Sequence, residues 1–317
     1  MMKRLLSLFL IAALCLGPAL AAAPEPVTVS YLGPAGTYTE EAAGRWFETG
    51  AQMQPRDTVA DAIADVLAGK TRYAVIPQEN TLGGPVADYV DALIRARELY
   101  VVGEVILPIS QTLMGLPGAS VEEIRTVCSH AQGLAQSAAW RSEHLAAAAE
   151  MEMKSTAAAA RYVAETGNPS VAAIAAPGAA RLYGLEVLAE NVQITDSNRT
   201  RFYVLSLHPL AVPGQEEPER TQPGQEKPGK PEPLPEEAVL IVTCEASRID
   251  DIIIELHEAG LELVTIHDRP EGSRLGSYHY VIEVTNPEGM TPEQIALLRG
   301  LESARFAGCF SVKSISP

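Results

Sequence analysis

A segment that cannot fold by itself divides this chain into two parts. Residues 209–236 consist mainly of Pro, Glu, Gln and Gly, with very few large apolar side chains. Such a segment buries too little apolar surface to offset the entropy lost on folding, and its prolines keep it partly extended. We therefore predict a linker over 209–236, with one folded unit before it and another after it.

The N-terminal stretch has the features of a secretory signal peptide. "MMKRLLSLFLIAALCLGPALAAAPEP" combines a basic start, an apolar run and small residues at Ala19 and Ala21. We predict a signal peptide over 1–21, cleaved after Ala21, and hence an exported, periplasmic protein without stable membrane association after cleavage. An uncleaved membrane anchor is the alternative, but Gly17 and Pro18 interrupt the apolar run before it reaches a spanning length.

The charge of the chain restricts its partners. Without residues 1–21 the formal charge is −18, from 22 Lys and Arg against 40 Asp and Glu. This balance excludes nucleic acid as a partner, because nothing resembles a basic stripe that could neutralise phosphates. An anionic substrate would have to be bound by local donors such as helix N-termini.

The first unit alternates apolar β runs with helical stretches over residues 27–208. This pattern predicts an α/β fold, in which ligands bind beyond the carboxyl ends of the strands. The second unit, over 237–317, reads as strand, helix, strand, strand, helix, strand. That order predicts a ferredoxin-like βαββαβ module.

The predicted ferredoxin-like topology raises the question of whether two cysteines form a disulfide. With strand order 4-1-3-2 the first and last strands of the module are antiparallel neighbours, and Cys244 and Cys309 lie on them. We expect the two residues to be close, and export would permit a disulfide. The strand register or the facing of the side chains could prevent the bond, so both states of the cysteines remain open, with Cys128 expected as a free thiol near the cleft.

Five polar corners of the first unit stand where a strand ends or begins. They are "GPAGTYTEEAA", "PQENTLGGPV", "CSHAQGLAQ", "KSTAAAA" and "TDSNRTRF". Each corner alone is typical of a helix cap or a turn. Their repetition at the sheet edge where α/β folds bind ligands favours a binding site.

In this order the five blocks resemble the motifs of the prephenate dehydratase family. The G-P-x-G-T, E-N-T, S-H-x-Q-x-x-x-Q, S-T-A and T-R-F blocks lie at Gly33–Thr39, Glu79–Thr81, Ser129–Gln136, Ser155–Ala157 and Thr200–Phe202. The resemblance covers 27–208 and implies a two-lobed catalytic domain like the type II periplasmic binding proteins. The second unit is similar to the regulatory ACT domain that follows it in the family.

The resemblance implies a lyase that converts prephenate to phenylpyruvate in phenylalanine biosynthesis, with no cofactor and no metal. Thr200 would be catalytic, as a hydrogen-bond donor to the departing hydroxyl. Glu79 is ambiguous beside a dianion, and Arg201 could instead pair with a carboxylate of its own lobe. The substrate-binding residues implied are Thr37, Glu79, Asn80, Thr81, Ser129, Gln136, Thr156, Arg201 and Phe202.

Two alternatives to this function remain. The small anionic substrate could be arogenate, the transaminated relative of prephenate. The chain could also be a non-catalytic periplasmic solute-binding or sensing protein on the same fold, although the intact T-R-F block favours an enzyme. Asn198 begins a glycosylation sequon, and His130 is a candidate for acid–base chemistry, but a helix-end hydrogen bond suits His130 better.

The second unit departs from the family where regulation is expected. The G-A-L and E-S-R-P blocks that hold phenylalanine in such ACT domains are replaced by "SRID" at 247–250 and "HDRP" at 267–270. The residues left for an effector are Asp268, Arg269 and Pro270. We expect weak or absent inhibition by phenylalanine, and a module retained mainly to form a homodimer or homotetramer.

Overall fold

A computed structural model describes residues 26–47, 50–210 and 234–316 of the chain. The predicted signal peptide lies outside the described residues, and so does most of the predicted linker. None of the helices that the structure describes is long and apolar enough to cross a membrane.

The first lobe is a sheet with helices packed on its faces. Strands β1, β2 and β3 are parallel, while the returning strand β11 (Arg199–Ser206) runs antiparallel between β3 and β5. Buried aliphatic and aromatic residues of the sheet form its core with α1, α2 and α3. The elements are β1 (Thr28–Leu32), α1 (Tyr38–Phe47), β2 (Gln52–Arg56), α2 (Val59–Leu67), β3 (Tyr73–Asn80), β4 (Gly84–Pro85), α3 (Ala87–Arg95) and β5 (Tyr100–Pro108).

The second lobe repeats this plan with strand order β10-β6-β9-β7-β8. Strands β7, β8 and β9 are parallel, and β6 runs antiparallel beside β9. Its elements are β6 (Thr112–Gly115), β7 (Thr126–Ser129), α4 (Ala131–Gln136), α5 (Ala138–His144), β8 (Ala149–Glu152), α6 (Thr156–Thr166), β9 (Val171–Ala175), α7 (Pro177–Tyr183) and β10 (Glu186–Ala189).

Two short connections join the lobes. Residues 109–111 lead from β5 into β6, and residues 190–198 lead from β10 back to β11 (Arg199–Ser206) in the first lobe. The carboxyl ends of the parallel strands of each lobe therefore open toward a shared cleft. This is the two-lobed α/β architecture that the family resemblance predicted.

The second unit has the predicted βαββαβ order and the predicted strand order, 4-1-3-2. Its sheet runs β13-β14-β12-β15 with every neighbouring pair antiparallel. The elements are β12 (Glu237–Glu245), α8 (Ile249–Glu258), β13 (Glu262–Pro270), β14 (Ser277–Thr285), α9 (Pro292–Gly300), β15 (Ala304–Phe310) and β16 (Val312–Ser314).

The expectation that Cys244 and Cys309 lie close together is wrong. Strand β15 begins at Ala304, so Cys309 is near its end and is paired with Ala238, six residues before Cys244 on β12. Six residues of strand span about 20 Å, far beyond the Cα separation that a disulfide allows. Cys244 and Cys309 are free thiols, as is the buried Cys128.

The sequence did not predict the last strand of the chain. The run "RFAGCFSVKSI" reads as one strand, but it breaks at Ser311 into β15 and β16. Strand β16 leaves the module and pairs in parallel with β5 of the first lobe. Module residues such as Val239 and Phe310 also share a core with Tyr203 and Leu205 of β11, so the two units pack as one body.

Candidate active site

Thr200 and Asn80 face each other across two antiparallel strands at the mouth of the cleft. Thr200 is the second residue of β11 and is paired with Asn80, the last residue of β3. The Asn80 amide donates from Nδ2 to Thr200 Oγ1 over 2.8 Å. Thr200 is nearly buried, with 8% of its surface exposed. The Thr200 hydroxyl and the Asn80 amide are thus in direct contact where the two strands meet at the cleft.

The neighbours of Asn80 fix the direction of this hydrogen bond. Its Oδ1 accepts from the backbone N–H groups of Leu82 and Gly83, at 3.1 and 2.9 Å. Because those groups can only donate, the NH2 end of the amide must face Thr200. Thr200 Oγ1 is therefore an acceptor toward Asn80, and its own proton is directed elsewhere. No acceptor for that proton occurs among the described residues, which leaves it available to a ligand in the cleft.

Thr81 ties the turn after β3 to the connection before β11. Its hydroxyl donates to Asn198 Oδ1 over 3.2 Å and accepts from the backbone N–H of Arg199 over 3.0 Å. Both polar functions of the hydroxyl are therefore used within the first lobe. Thr81 holds the Asn80 and Thr200 strands together, whereas the motif resemblance implied that it binds substrate.

The second lobe supplies Gln136, Ser129 and Thr156. Gln136 Oε1 accepts from Gln111 Nε2 over 3.0 Å, and Gln136 lines a cavity of about 360 Å³ against the Leu82–Gly83 turn. The Ser129 hydroxyl is fully buried and donates to the Ile174 carbonyl over 2.7 Å. Ser129 therefore fixes the end of β7 with its hydroxyl already engaged, and of these three residues only Gln136 lines this cavity.

Two predicted residues lie at helix starts. Thr37 precedes α1, where its Oγ1 donates to the Leu32 carbonyl over 3.2 Å, and it lines a cavity of about 770 Å³ between α1 and α7. Thr156 is the first residue of α6 and is half-buried, after Ser155, whose Oγ accepts from the Ala158 N–H over 3.0 Å. Thr156 suits contact with an anion at a helix N-terminus, whereas beside Thr37 the Gly36 N–H already donates to Glu40 Oε2 over 2.6 Å.

The lobes touch directly across the cleft. Gln132 of α4 donates from Nε2 to Asn80 Oδ1 over 3.1 Å, and the Tyr183 hydroxyl donates to the Ala35 carbonyl over 2.7 Å. Gly36 has a φ of +86°, and a Cβ there would lie 3.2 Å from both Leu182 and Tyr183. Glycine at position 36 therefore allows the "GPAGTYTEEAA" corner of the first lobe to approach the second lobe closely.

Arg201 and Glu79 do not face the cleft, contrary to their implied substrate-binding roles. Side chains alternate along a strand, so the residues beside Thr200 and Asn80 point to the opposite face of the sheet. There Arg201 Nε contacts Glu104 Oε1 at 2.6 Å, and its Nη2 pairs with Glu283 of the module. Of the two roles considered for Arg201, the structure selects the ion pair within the protein.

Phe202 is also misassigned as a substrate contact. It lies in the core of the first lobe with Tyr31 and Val105, and only 1% of its surface is exposed. A shift in the β11–β3 register between Arg201 and Phe202 accompanies this placement. The aromatic ring packs β11 against the core of the first lobe and does not line the cleft.

The face opposite the cleft carries a buried charge cluster that the sequence did not reveal. Glu104 and Glu283 are fully buried, and Glu237 lies 3.5 Å from Arg201 Nη2. Burial raises the pKa of Glu104 to about 7, with the Glu283 charge adding to the rise. Burial and a hydrogen bond to Glu283 raise the pKa of Glu237 as well. Oxygens of the three carboxyl groups lie within 4.8 Å of one another, but the cation beside them is the guanidinium of Arg201.

The three predicted effector residues lie at the end of β13. Arg269 is bound to α3 of the first lobe, through Asp91 Oδ1 at 2.9 Å and the Ala87 carbonyl at 3.1 Å. His267 on the same strand contacts the buried Tyr89 hydroxyl of α3. Asp268 and Pro270 are exposed. The retained arginine of the "HDRP" block therefore docks the module onto the catalytic unit.

Asn198 lies in the polar corner "TDSNRTRF" and begins a glycosylation sequon, but the family motifs did not imply it as a site residue. It is fully buried and accepts from Asn80 Nδ2 over 2.8 Å. The signal that could have found it is its place two residues before Thr200, on the same side of an extended segment. His130 caps α4, where its Nδ1 accepts from the Gln132 N–H over 3.3 Å.

Comparisons with known proteins agree with this geometry. A family model described as prephenate dehydratase matches residues 29–209. A bifunctional chorismate mutase/prephenate dehydratase of Neisseria gonorrhoeae is 33% identical, and the match covers 90% of this chain and 74% of that protein. A prephenate dehydratase of Amycolatopsis methanolica is 31% identical, with 89% and 88% covered. Arogenate dehydratase 1 of Petunia hybrida is 38% identical over 61% of this chain and 45% of its own length.

Solved structures also share the whole architecture. The prephenate dehydratase of Arthrobacter aurescens in complex with L-Phe superposes with a TM-score of 0.73 at 30% identity, covering 90% of each chain. GqqA, described as a novel type of quorum quenching acylase, gives a TM-score of 0.74 at 26% identity, covering 90% of this chain and 98% of GqqA. The ordered motifs, the Thr200–Asn80 pair and these matches together establish that the chain belongs to the prephenate dehydratase family.

Proposed function

We propose that this chain is a prephenate dehydratase. In the reaction the bond between the ring and its carboxylate breaks, CO2 leaves, and the electron pair of that bond enters the ring. The C–O bond on the opposite ring carbon breaks with its pair on oxygen, and the departing hydroxide takes up a proton from solvent and leaves as water. Aromatisation drives both cleavages, so the protein has only to bind a dianion and to stabilise the charge that develops on the leaving oxygen.

The hydrogen bond from Asn80 to Thr200 is the observation that carries this proposal. Because the amide donates to Thr200 Oγ1, the hydroxyl proton of Thr200 is free to donate to the leaving oxygen. Accepting a hydrogen bond also polarises the hydroxyl and strengthens it as a donor. A threonine hydroxyl is a very weak acid, so its part is a hydrogen bond to the developing charge and not transfer of a free proton.

Substitution of Thr200 tests the mechanism. Thr200→Ala is expected to lower kcat by about 100-fold or more, the scale for loss of one donor to a developing charge, while the fold is retained. Thr200→Ser keeps the hydroxyl and should restore most of the activity. The readout is phenylpyruvate absorbance after prephenate is added to purified protein. If Thr200→Ala turned over at the wild-type rate, Thr200 would have no place in the mechanism.

The same assay separates the other functions considered. Arogenate differs from prephenate by an amino group in place of the keto group, and its product is phenylalanine. Parallel assays with both substrates determine the preference through the ratio of kcat/KM values. Binding of either compound without turnover by the wild-type protein would support a solute-binding or sensing role instead.

We also propose export to the periplasm, supported by the basic start, the apolar run and the small residues before position 22. Cell fractionation with N-terminal sequencing of the mature protein tests this proposal. A periplasmic chain that begins at Ala22 is expected. A cytoplasmic chain that begins at Met1 or Met2 would contradict it.

The second unit is proposed to be an ACT-like domain with weak or absent inhibition by phenylalanine, retained chiefly for self-association. The contacts of Arg269 with Asp91 and Ala87 support this, because they already occupy the guanidinium. Titration of phenylalanine into the activity assay should produce little effect, and strong inhibition at micromolar concentration would refute the proposal. Light scattering of the purified protein should give the mass of a dimer or tetramer.

A further inference from the structure

Asn198 is a buried residue beside Thr200 to which the T-R-F block assigns no part. We infer that Asn198 is a positioning residue: it holds the Asn80 amide in the orientation that leaves the Thr200 proton free. The inference rests on the proposed function, since it explains how the Thr200 hydroxyl is made ready for the reaction.

The contacts of Asn198 hold it in place from two sides. Its Oδ1 accepts from Asn80 Nδ2 over 2.8 Å and from the Thr81 hydroxyl over 3.2 Å. Its backbone carbonyl accepts from the Ile109 N–H over 3.0 Å, at the start of the other connection between the lobes. Asn198 thus joins the turn after β3 to both connections, and its side chain cannot move independently of them.

The two N–H bonds of the Asn80 amide then have separate acceptors. One points to Asn198 Oδ1 and the other to Thr200 Oγ1, both at 2.8 Å, while the Arg199 carbonyl lies farther from the same nitrogen, at 3.1 Å. Without Asn198 the first N–H would lose its nearer acceptor and keep only the Arg199 carbonyl, and turning toward that carbonyl into the space left behind would tilt the amide away from Thr200. A positioned donor loses much of its catalytic value when its geometry shifts by even an ångström.

The Nδ2 atom of Asn198 raises the question of why this position carries a neutral amide and not a carboxylate. Asn198 is fully buried, and its Nδ2 has no hydrogen-bond partner within the part of the chain that the structure describes. A buried donor without a partner is costly. Aspartate would accept the same two hydrogen bonds without that donor, but it would place a negative charge beside a site for a dianion. Asparagine supplies the acceptor and avoids the charge.

A double-mutant cycle with Asn80 tests this inference. Asn198→Ala is expected to lower kcat about 10-fold or more with KM changed less than about threefold, because the hydroxyl is misaligned while binding groups remain. If Asn198 acts through Asn80, adding Asn198→Ala to Asn80→Ala should lower kcat no more than about twofold further. Ser197→Ala, at the exposed neighbouring position, is the matched control and should retain wild-type kinetics.

The possible results are distinct. An unchanged kcat in Asn198→Ala, or multiplicative losses in the double variant, would overturn the positioning role while the proposed function stands. A wild-type protein that turned over neither prephenate nor arogenate would overturn both. If Asn198→Ala does not fold, Thr81→Val takes its place, since it removes the second donor to Asn198 Oδ1. Thr81→Val should lower kcat while Thr81→Ser retains it, and equal activity of the two would contradict the inference.

Discussion

Asn80 contacts both the candidate catalytic hydroxyl and the second lobe. Its Nδ2 donates to Thr200 Oγ1, and its Oδ1 accepts from Gln132 of the second lobe. Gln132→Ala should lower kcat/KM by about 2- to 10-fold, the range for loss of one hydrogen bond, since closure of the lobes over substrate is weakened. Gln132→Glu should lose more, because its carboxylate would face the Asn80 oxygen and the anionic substrate. Steady-state kinetics on both variants test this, and wild-type kcat/KM in Gln132→Glu would show that the contact does not aid closure.

Strand β15 is the element that brings the module against the first lobe, and Gly308 makes the approach possible. Gly308 has a φ of +131°, and a Cβ there would overlap the Val101 carbonyl of β5. Gly308→Ala should destabilise the protein by about 2–4 kcal/mol, through backbone strain and steric overlap. Gly300→Ala is the control, because a Cβ at that position meets nothing within 4 Å. Urea unfolding measures both, and equal midpoints would contradict the close approach of β15 to β5.

Across the whole protein, the buried cluster of carboxyl groups around Arg201 is expected to couple the free energy of unfolding to pH. Glu104 and Glu237 have raised pKa values, so the folded protein binds more protons than the unfolded chain, in which the carboxyl pKa is about 4.3. The extra bound protons therefore stabilise the folded protein fully below the unfolded carboxyl pKa of about 4.3. This stabilisation is lost as pH rises through the folded pKa values, from about pH 5 past neutrality. Other titratable groups nearby are Glu283, Tyr203, Glu79, Tyr89 and His267.

Replacement of Glu237 tests this coupling, because Gln mimics the protonated carboxyl group and cannot ionise. Glu237→Gln should flatten the fall in unfolding free energy between pH 5 and pH 9, and should be more stable than wild type at the upper end. Exposed Glu288→Gln is the control and should keep the wild-type pH profile. Urea unfolding across the pH range measures the three proteins. A Glu237→Gln profile parallel to that of wild type would argue against a proton held in the cluster.

Features that depend on local residue patterns could be predicted from the amino-acid sequence. The Pro- and Glu-rich segment separated two units, alternation of strands and helices predicted their α/β and ferredoxin-like folds, and the ordered motifs singled out Thr200 and Asn80. Strand and helix periodicity are written in neighbouring residues, so these features could be predicted without coordinates.

Features that depend on strand register and on contacts between distant residues emerged only from the folded arrangement. It turned Arg201 and Glu79 away from the cleft, separated Cys244 from Cys309 by six residues of strand, and moved β16 into the sheet of the first lobe. A shift of one residue in register exchanges the two faces of a strand, and the bulges that set register come from packing between strands remote in the chain. For the same reason Asn198, two residues from a recognised motif, became a site residue only when β3 and β11 were placed side by side.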